Sequence, residues 1–293
     1  MTLEREPRPW HNARRMKIAY FTAGSVGAGH VVRGLALERA LQRRGFQGEY
    51  RMFGPPTEFA RGPYTQVPID HRELIDPARA GATQLAAGLR AFSPDLLVVD
   101  LFWAPLRHLL PLAGCEAWLL LRKVPPIWFT GPAGARFDPR QYARIVAIEP
   151  LVHEAIRERI DPVVICNPDE CEPPGALRAR LAVPAGQPVL VSMHAGLEGE
   201  LAQLGAGSGA RAFDLRAEGA LFPLARWLGG ADGIRAGAGY NTFWESRWLG
   251  YFDRMHFTPF ARRIDDQAWR VRECAAVPVR ENGADTLASW IRS

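Results

Sequence analysis

A histidine that follows closely spaced glycines is the first place in this sequence where residue types point to chemistry. The segment Gly24-Ser25-Val26-Gly27-Ala28-Gly29-His30 separates an apolar run from a pattern of helical periodicity. Glycines let a backbone approach a ligand closely, and free N–H groups at a helix N-terminus attract anions. Histidine exchanges protons near neutral pH, which suits a general base. The segment favours an anion-binding turn beside a base, although such turns also serve close packing and His30 can also cap its helix.

A second glycine-rich turn, Gly237-Ala238-Gly239-Tyr240, precedes an expected helix from Asn241 through Leu249. Asn241 and Thr242 are candidate N-cap residues, and Glu245 lies one turn into the helix. A carboxylate in the first turn is favoured by the helix dipole alone. The functional interpretation is that Glu245 accepts hydrogen bonds from two neighbouring ribose hydroxyl groups. The sequence leaves both interpretations of Glu245 open.

Short apolar runs that alternate with helical patterns must position these two turns. Runs of this length are typical of buried parallel strands, and their alternation with helices indicates right-handed βαβ units. The chain is therefore predicted to have an α/β fold. The expected strands are residues 16–23, 96–99 (followed by Asp100), 117–124, 143–149, 162–168 and 233–236, with a further strand and turn within 188–196. We also expect a glycine-rich loop over 199–209 and a helix over 220–233.

A stretch rich in proline and charge, residues 167–175, interrupts this rhythm and divides the chain. The repeated units on either side of it predict two Rossmann-like domains, each expected to bind ligands beyond the carboxyl ends of its strands. The predicted organisation is a disordered basic tail over 1–15, an N-terminal domain over 16–166, a linker over 167–187 and a C-terminal domain over 188–293.

The distribution of charge argues against nucleic-acid binding. The 293-residue chain has 36 Lys and Arg against 31 Asp and Glu, a formal net charge of +5, and almost all of its positive charge is arginine. The arginines are scattered rather than gathered on one segment, so we expect no basic patch of the kind that binds DNA or RNA.

The cysteines and the apolar runs indicate a cytoplasmic protein without a metal site. Cys115, Cys166, Cys171 and Cys274 lack the spacing of metal ligands, and we expect reduced thiols. No apolar run approaches the roughly 18 to 20 residues that a membrane span needs. Contact with a membrane surface is less favoured than a solvated tail and core aromatic side chains; the residues considered for it are Trp10, Arg14, Arg15, Phe102 and Trp103.

Two longer segments resemble a known family. GSVGAGHVVRGLALERALQRRG resembles the opening of the two-domain GT-B glycosyltransferases of the MurG type, whose first glycine-rich turn ends in Gly-His. AGAGYNTFWESRWLG, followed by PFARRIDDQAWR, resembles the donor-binding segment of the C-terminal domain in that superfamily. The resemblance covers about 30 residues at the start of the first domain and about 45 near the C-terminus. It implies the GT-B architecture, in which two Rossmann-like domains face each other across a cleft. It also implies a transferase that takes a sugar from a nucleotide-diphosphate sugar donor to an unidentified acceptor, without a further cofactor.

The resemblance also implies a role for each matching residue. The acceptor side would hold the catalytic base, the donor side would bind the phosphates and the ribose, and two polar residues would contact the donor sugar. The acceptor side comprises Gly27, Gly29 and His30, with His30 as the base. The donor phosphates would meet Gly237, Gly239, Asn241 and Thr242, and the ribose would meet Glu245. The donor sugar would contact Asp266 and Gln267. Asp266 also suits a simple helix N-cap. Arg262 and Arg263 are weaker candidates for phosphate contacts, and the absence of an acidic pair at a strand end predicts no obligatory metal.

The sequence departs from the family at one turn and leaves two other functions open. Where the family has a Gly/Ser-rich turn, this chain has Ser192-Met193-His194-Ala195-Gly196, in which His194 is expected to meet a phosphate or to mark an altered phosphate site. The segment Gly29-His30-Val31-Val32-Arg33 also resembles the opening of sugar-nucleotide hydrolases of the PseG type, in which His30 would activate water. A non-catalytic subunit that binds a nucleotide sugar is the third alternative.

Overall fold

The structure is a computed structural model that describes residues 15–23, 27–130, 136–150, 152, 156, 158–194, 196–197, 199–205, 209, 211–214 and 221–292. Apart from Arg15, the predicted basic tail lies outside the described residues. Gly24, Ser25 and Val26 of the first turn lie outside them too, as does Ala195 beside His194.

Parallel strands and short helices alternate along the described chain. The strands are β1 (Lys17–Phe21), β2 (Glu49–Gly54), β3 (Tyr64–Gln66), β4 (Leu96–Asp100), β5 (Glu116–Leu121), β6 (Arg144–Ala147), β7 (Glu158–Arg159), β8 (Leu190–His194), β9 (Arg211–Asp214), β10 (Gly233–Gly237) and β11 (Met255–Thr258). The helices are α1 (Gly29–Arg43), α2 (His71–Ile75), α3 (Gln84–Phe92), α4 (Leu110–Ala113), α5 (Pro174–Arg180), α6 (Glu200–Gly205), α7 (Tyr240–Trp248), α8 (Gln267–Cys274) and α9 (Gly283–Arg292). No helix of the described residues is long and apolar enough to cross a membrane.

The strands form two parallel sheets, which confirms the predicted fold class. The first sheet has seven strands in the order β3-β2-β1-β4-β5-β6-β7, and the second has four in the order β11-β10-β8-β9. In the first sheet β1 lies between β2 and β4, and in the second β8 lies between β9 and β10. The strand order reverses at each of these points, and a crevice opens there beyond the carboxyl ends of the strands.

Helix α1 fixes the first glycine-rich turn against the first sheet. Val31 and Leu35 are buried on the face that packs on the strands, as the helical spacing predicts. At Gly34 a Cβ atom would lie 2.3 Å from Met52 Cε, so the helix lies close against the sheet because this residue has no side chain. The helix ends at Arg43, and Gly45 follows with a φ of 69°, the left-handed conformation of a helix stop.

Elements from the two sides of the predicted domain boundaries pack together. Leu287 and Ala288 of α9 are buried in the same cluster as Val31 and Leu35 of α1. Within the predicted linker, Leu177 of α5 is buried under the second sheet. The boundaries at 16–166, 167–187 and 188–293 therefore stay a prediction.

The predicted strand over 162–168 is wrong. The seventh strand of the first sheet is β7, which pairs with β6, and the chain beyond it is buried but irregular. Val163 N donates to Tyr240 Oη at 2.9 Å and Val164 N donates to Asn282 Oδ1 at 3.3 Å. Side chains from α7 and from the loop before α9 thus satisfy backbone groups that a neighbouring strand would otherwise bind.

Two further predicted elements differ in the second half of the chain. Within the expected helix over 220–233, the described residues form two 3₁₀ turns, 224–226 and 228–230. Pro223 precedes the first turn, and Gly229 and Gly230 lie in the second, where glycine disfavours a longer helix. The glycine-rich segment 199–209, expected to be a loop, contains the short helix α6.

A buried ion pair joins the end of the first sheet to the C-terminal helices. Glu149, just after β6, accepts hydrogen bonds from Arg270 Nε at 2.5 Å and from Trp244 Nε1 at 3.1 Å. Arg270 Nη1 also donates to the carbonyl of Ala238 at 2.8 Å, beside the second glycine-rich turn. A buried charge is stable only with such partners, so this pair holds α7 and α8 against the first sheet.

We predict that Arg270→Met lowers the free energy of unfolding by about 3–5 kcal/mol, because it leaves the Glu149 carboxylate buried without its cation. Urea denaturation at pH 7 measures the change. The matched control is Arg272→Met on the same helix, where an exposed pair with Glu273 is lost and the expected change is under about 1 kcal/mol. Equal, small losses in both variants would contradict this role for Arg270.

Candidate functional site

A cavity of about 490 Å³ lies where the carboxyl ends of the two sheets meet. It is lined by both glycine-rich turns and by side chains from each half of the chain. All but one of the residues selected from the sequence line it: Gly27, Gly29, His30, His194, Gly237, Gly239, Asn241, Thr242, Glu245 and Gln267.

His30, at the start of α1, is oriented by Asp100 at the end of β4. The residue is only 8% exposed and lines the cavity, and its Nδ1 lies 3.0 Å from Asp100 Oδ2 and 2.8 Å from Arg33 Nη2. The Asp100 carboxylate can only accept a hydrogen bond and the Arg33 guanidinium group can only donate one, so the two neighbours of Nδ1 favour opposite tautomers. In the tautomer with the proton on Nδ1, towards Asp100, the lone pair lies on Nε2. No residue in the described part of the chain hydrogen-bonds to Nε2. The arrangement suits a base that takes a proton from a ligand in the cavity.

Arg33, one helical turn after His30, pairs with the same carboxylate. Its Nε lies 3.0 Å from Asp100 Oδ2 and its Nη2 lies 3.1 Å from Oδ1, and Tyr20 Oη donates to Oδ2 at 2.8 Å. Burial alone would raise the pKa of Asp100, but Arg33 and His30 outweigh it and hold that pKa below its ordinary value. Asp100 is therefore ionised at neutral pH.

The pKa of His30 is lowered from its ordinary value, chiefly because burial disfavours the charged ring. Asp100 raises this pKa and Arg33 lowers it, and the effect of burial is the largest. His30 is consequently neutral at pH 7, the protonation state in which it can accept a proton.

Asn241 of α7 crosses the cavity mouth rather than capping its helix. Its Nδ2 donates to the carbonyl of Gly29 at 3.1 Å, and its Oδ1 accepts from Arg33 Nη1 at 3.4 Å. The helix begins at Tyr240 with Gly239 as N-cap residue, so the expectation that Asn241 or Thr242 caps it is wrong. The first N–H groups of a helix have no partner within the helix, and the lining residues at the start of α7 therefore offer donors to an anion.

Glu245 lies in the cavity wall without a cation beside it. Its side chain is buried, 6% exposed, and no described residue forms a hydrogen bond or ion pair with its carboxylate. Burial raises the pKa of Glu245 to about 7. A buried carboxylate that lacks partners destabilises the folded state when ionised, and such groups mark candidate binding sites.

A histidine, a glutamate and an arginine form a cluster on the side of the second sheet. His194 Nε2 contacts Glu200 Oε2, which also accepts from Arg262 Nη2 at 2.5 Å and from Leu197 N at 2.9 Å. A Cβ atom on Gly237 would lie 2.8 Å from His194 Cε1, so the imidazole fills the space beside the second glycine-rich turn. The side chains of His194 and Arg262 thus reach the cavity as parts of one hydrogen-bonded group.

Asp266 and Gln267 have structural partners. Asp266 Oδ1 accepts from Trp269 N at 2.9 Å and caps α8, as the sequence allowed. Asp266 borders a groove next to the cavity instead of the cavity itself. Gln267 lines the cavity, and its Oε1 accepts from Phe260 N at 3.0 Å.

Sequence reasoning missed the residues that orient His30 and enclose the cavity. Asp100 was visible only as the last residue of a predicted strand, and Arg33 as part of a Gly-His-x-x-Arg motif. The spacing of three residues between His30 and Arg33, which places both on one face of a helix, is the signal that could have linked them. Nothing in the sequence indicated that Arg122 and Phe102 line the same cavity.

Comparison with known proteins identifies the fold. No family model and no curated protein matches the sequence. Among solved structures, MurG of Acinetobacter baumannii is similar over 95% of this chain and 91% of its own (TM-score 0.52, 14% identity). The spinosyn forosaminyltransferase SpnP is similar over 95% and 94% (0.56, 16%). UGT2 of Phytolacca americana, in complex with UDP-2fluoro-glucose and pterostilbene, is similar over 96% and 90% (0.53, 16%). The chain therefore has the GT-B fold of these glycosyltransferases, with two Rossmann-like units that face each other across a cleft.

Proposed function

We propose that this protein transfers a sugar from a nucleotide-diphosphate sugar to a hydroxyl group of an acceptor, with His30 as the base. The observation that carries the proposal is that one cavity brings together two kinds of group. A neutral histidine beside a carboxylate lies on one side. The start of α7 lies on the other, with a buried carboxylate, Glu245, that has no partner among the described residues. The first suits proton removal, and the second suits a phosphate and a ribose.

The donor would lie against the second sheet. The N–H groups at the start of α7 would meet the diphosphate, and Arg262, His194 and Arg263 line the same side of the cavity. Glu245 would accept hydrogen bonds from the ribose hydroxyl groups. The similar UGT2 structure contains UDP-2fluoro-glucose, which supports a nucleotide-sugar donor. Because helix dipoles and arginines supply the positive field at the leaving group, we propose catalysis without a metal.

In the proposed mechanism His30 Nε2 removes the proton of the acceptor hydroxyl group as its oxygen bonds to the anomeric carbon. The bond from that carbon to the diphosphate breaks, and its electron pair leaves with the nucleoside diphosphate. Asp100 keeps the proton of the ring on Nδ1 and stabilises the imidazolium ion that forms. The donors at the start of α7 stabilise the charge that develops on the leaving phosphate.

A hydrolase is the second candidate, because the same His30 and Asp100 pair would activate water equally well. It differs from a transferase only in what occupies the acceptor space. A non-catalytic subunit would bind the donor and leave it intact.

We predict that one nucleoside diphosphate selectively raises the melting temperature of the purified protein. A ligand that binds only the folded state at about a hundredfold over its Kd adds roughly 2.7 kcal/mol of stability. Differential scanning fluorimetry across nucleoside diphosphates and their sugars measures this.

A second experiment separates a hydrolase from a transferase, by incubating the matching nucleotide sugar without an acceptor. Released sugar indicates a hydrolase, and a donor that stays intact until acceptors are added indicates a transferase. No response to any nucleotide would refute the proposed function.

We predict that His30→Ala lowers turnover of the nucleotide sugar by about two to four orders of magnitude and leaves nucleotide binding within a factor of about two. In the pH profile of the wild type, the fall in activity on the acidic side should have its midpoint below the ordinary histidine pKa of about 6.5. The reason is that activity requires the neutral ring and burial lowers the pKa of His30. The control is His256→Ala, an exposed histidine on β11. Equal turnover in the two variants would show that His30 is not the base.

We predict that Glu245→Gln stabilises the free protein at pH 8 and weakens nucleotide binding about tenfold. The pKa of Glu245 is raised from 4.5 to about 7 on folding, so the wild type is penalised above pH 7 by roughly 3 kcal/mol and the penalty disappears as pH falls towards 4.5. The melting temperature of the variant should exceed that of the wild type by several degrees at pH 8 and match it near pH 4.5. A higher melting temperature with unchanged nucleotide affinity would assign Glu245 no role in donor binding.

A further inference from the structure

Arg122 follows β5 and lines the cavity on the side of the first sheet. Only 6% of its side chain is exposed. Its Nη1 donates to Asp265 Oδ1 at 2.8 Å and to the carbonyl of Ile264 at 3.0 Å. These two bonds occupy one end of the guanidinium group and fix its plane.

The other edge of the guanidinium group, formed by Nε and Nη2, has no hydrogen-bond partner among the residues that the structure describes. These two N–H groups point in parallel and match the two oxygens of a carboxylate. Because Arg122 borders the cavity, a ligand there can reach this edge.

The neighbouring Arg33 shows what such an edge binds in this protein. Its Nε and Nη2 hold the two oxygens of Asp100 at 3.0 and 3.1 Å. Arg33 thus has an internal carboxylate on its paired edge. On Arg122 the same edge has no partner in the described part of the chain, although this residue lines the same cavity and is close enough to His30 to influence that ring electrostatically.

The electrostatic surroundings of Arg122 favour an added anion. Burial lowers the pKa of Arg122, and the positive charges of Arg33 and Arg270 lower it further, whereas the carboxylate of Asp265 raises it. A guanidinium group stays ionised in proteins, so the lowered pKa means that this charge is held at a cost. A carboxylate on the free edge would reduce that cost.

We propose that Arg122 binds a carboxylate of the acceptor, so that the acceptors are hydroxy acids whose hydroxyl group lies beside His30. The proposal rests on the proposed function, because it places the acceptor next to that base. The shared chemistry is an anionic group with two oxygens, and the donor diphosphate is the other possible source. Arg122 belongs to the first sheet with His30, whereas the start of α7 and Arg262 belong to the donor side.

The test measures binding of matched pairs of a hydroxy acid and its amide by isothermal titration calorimetry, with and without a saturating nucleoside diphosphate. The probes are lactate with lactamide, 3-hydroxybutyrate with 3-hydroxybutyramide, and 4-hydroxybenzoate with 4-hydroxybenzamide. We expect at least one acid to bind roughly ten- to a hundredfold more tightly than its amide, the range for a charge-assisted bidentate contact. Arg122→Gln should abolish the preference, and Arg122→Lys should restore only part of it.

Asp265→Asn is the matched control, because it removes the negative charge that pairs with Arg122 and Arg270, keeps a side-chain acceptor and leaves the free edge of Arg122 in place. This variant should keep the preference for the acid, which separates anion binding from a merely structural role. Equal binding of acid and amide in every pair, or a preference that survives in Arg122→Gln, would overturn the proposal. If Arg122→Gln weakens nucleotide binding and no acid is preferred over its amide, the free edge binds the donor diphosphate. That result would also overturn the proposal. If no nucleotide binds the wild type but an Arg122-dependent acid preference is found, the proposed function fails and the anion site stands.

Discussion

The pairing of Asp100 with Arg33 is the interaction on which the rest of the site depends. A carboxylate buried at the end of β4 is stable only when cations and donors surround it, and Arg33, Tyr20 and His30 all converge on it. Arg33 also stacks on the ring of Tyr240, at 4.9 Å from its centroid. One ion pair therefore orients the candidate base and brings α7 of the opposite half against α1.

The two buried carboxylates that we consider at the cavity, Asp100 and Glu245, differ in their hydrogen-bond partners. Asp100 has its partners within the protein, so it stabilises the fold and stays ionised. Glu245 has none among the described residues, and its pKa of about 7 shows that ionisation opposes folding at neutral pH. A destabilising group of this kind persists where a ligand supplies the missing donors. Asp100 thus belongs to the architecture of the fold, whereas Glu245 is the group that we propose a ligand meets.

The sequence was sufficient for the features that depend on local pattern. Apolar runs and glycine-rich turns predicted the α/β fold, the start of α1 near Gly29 and the presence of His30 at the cavity. Contacts between distant segments left no such pattern: Glu149 and Arg270 are 121 residues apart, and Asp100 and His30 meet only because β1 and β4 are neighbouring parallel strands. The strand expected over 162–168 failed for the same reason. Its apolar residues are buried, but the donors and acceptors around it come from Tyr240 and Asn282.

The same long-range pairs determine which parts of the molecule can move together. The chain from Ile264 to α8 is held by Arg122 of the first sheet and by Glu149 after β6. These contacts attach α8 to the half that carries His30, although α8 follows the second sheet in sequence. A change in the angle between the sheets would therefore bend the chain between β11 and Asp265, where Arg262 borders the cavity and Phe260 borders the neighbouring groove. Arg262 and His194, proposed to meet the donor phosphates, would shift relative to His30. The start of α7 would stay beside it, because Asn241 bonds to Gly29 and Tyr240 packs on Arg33.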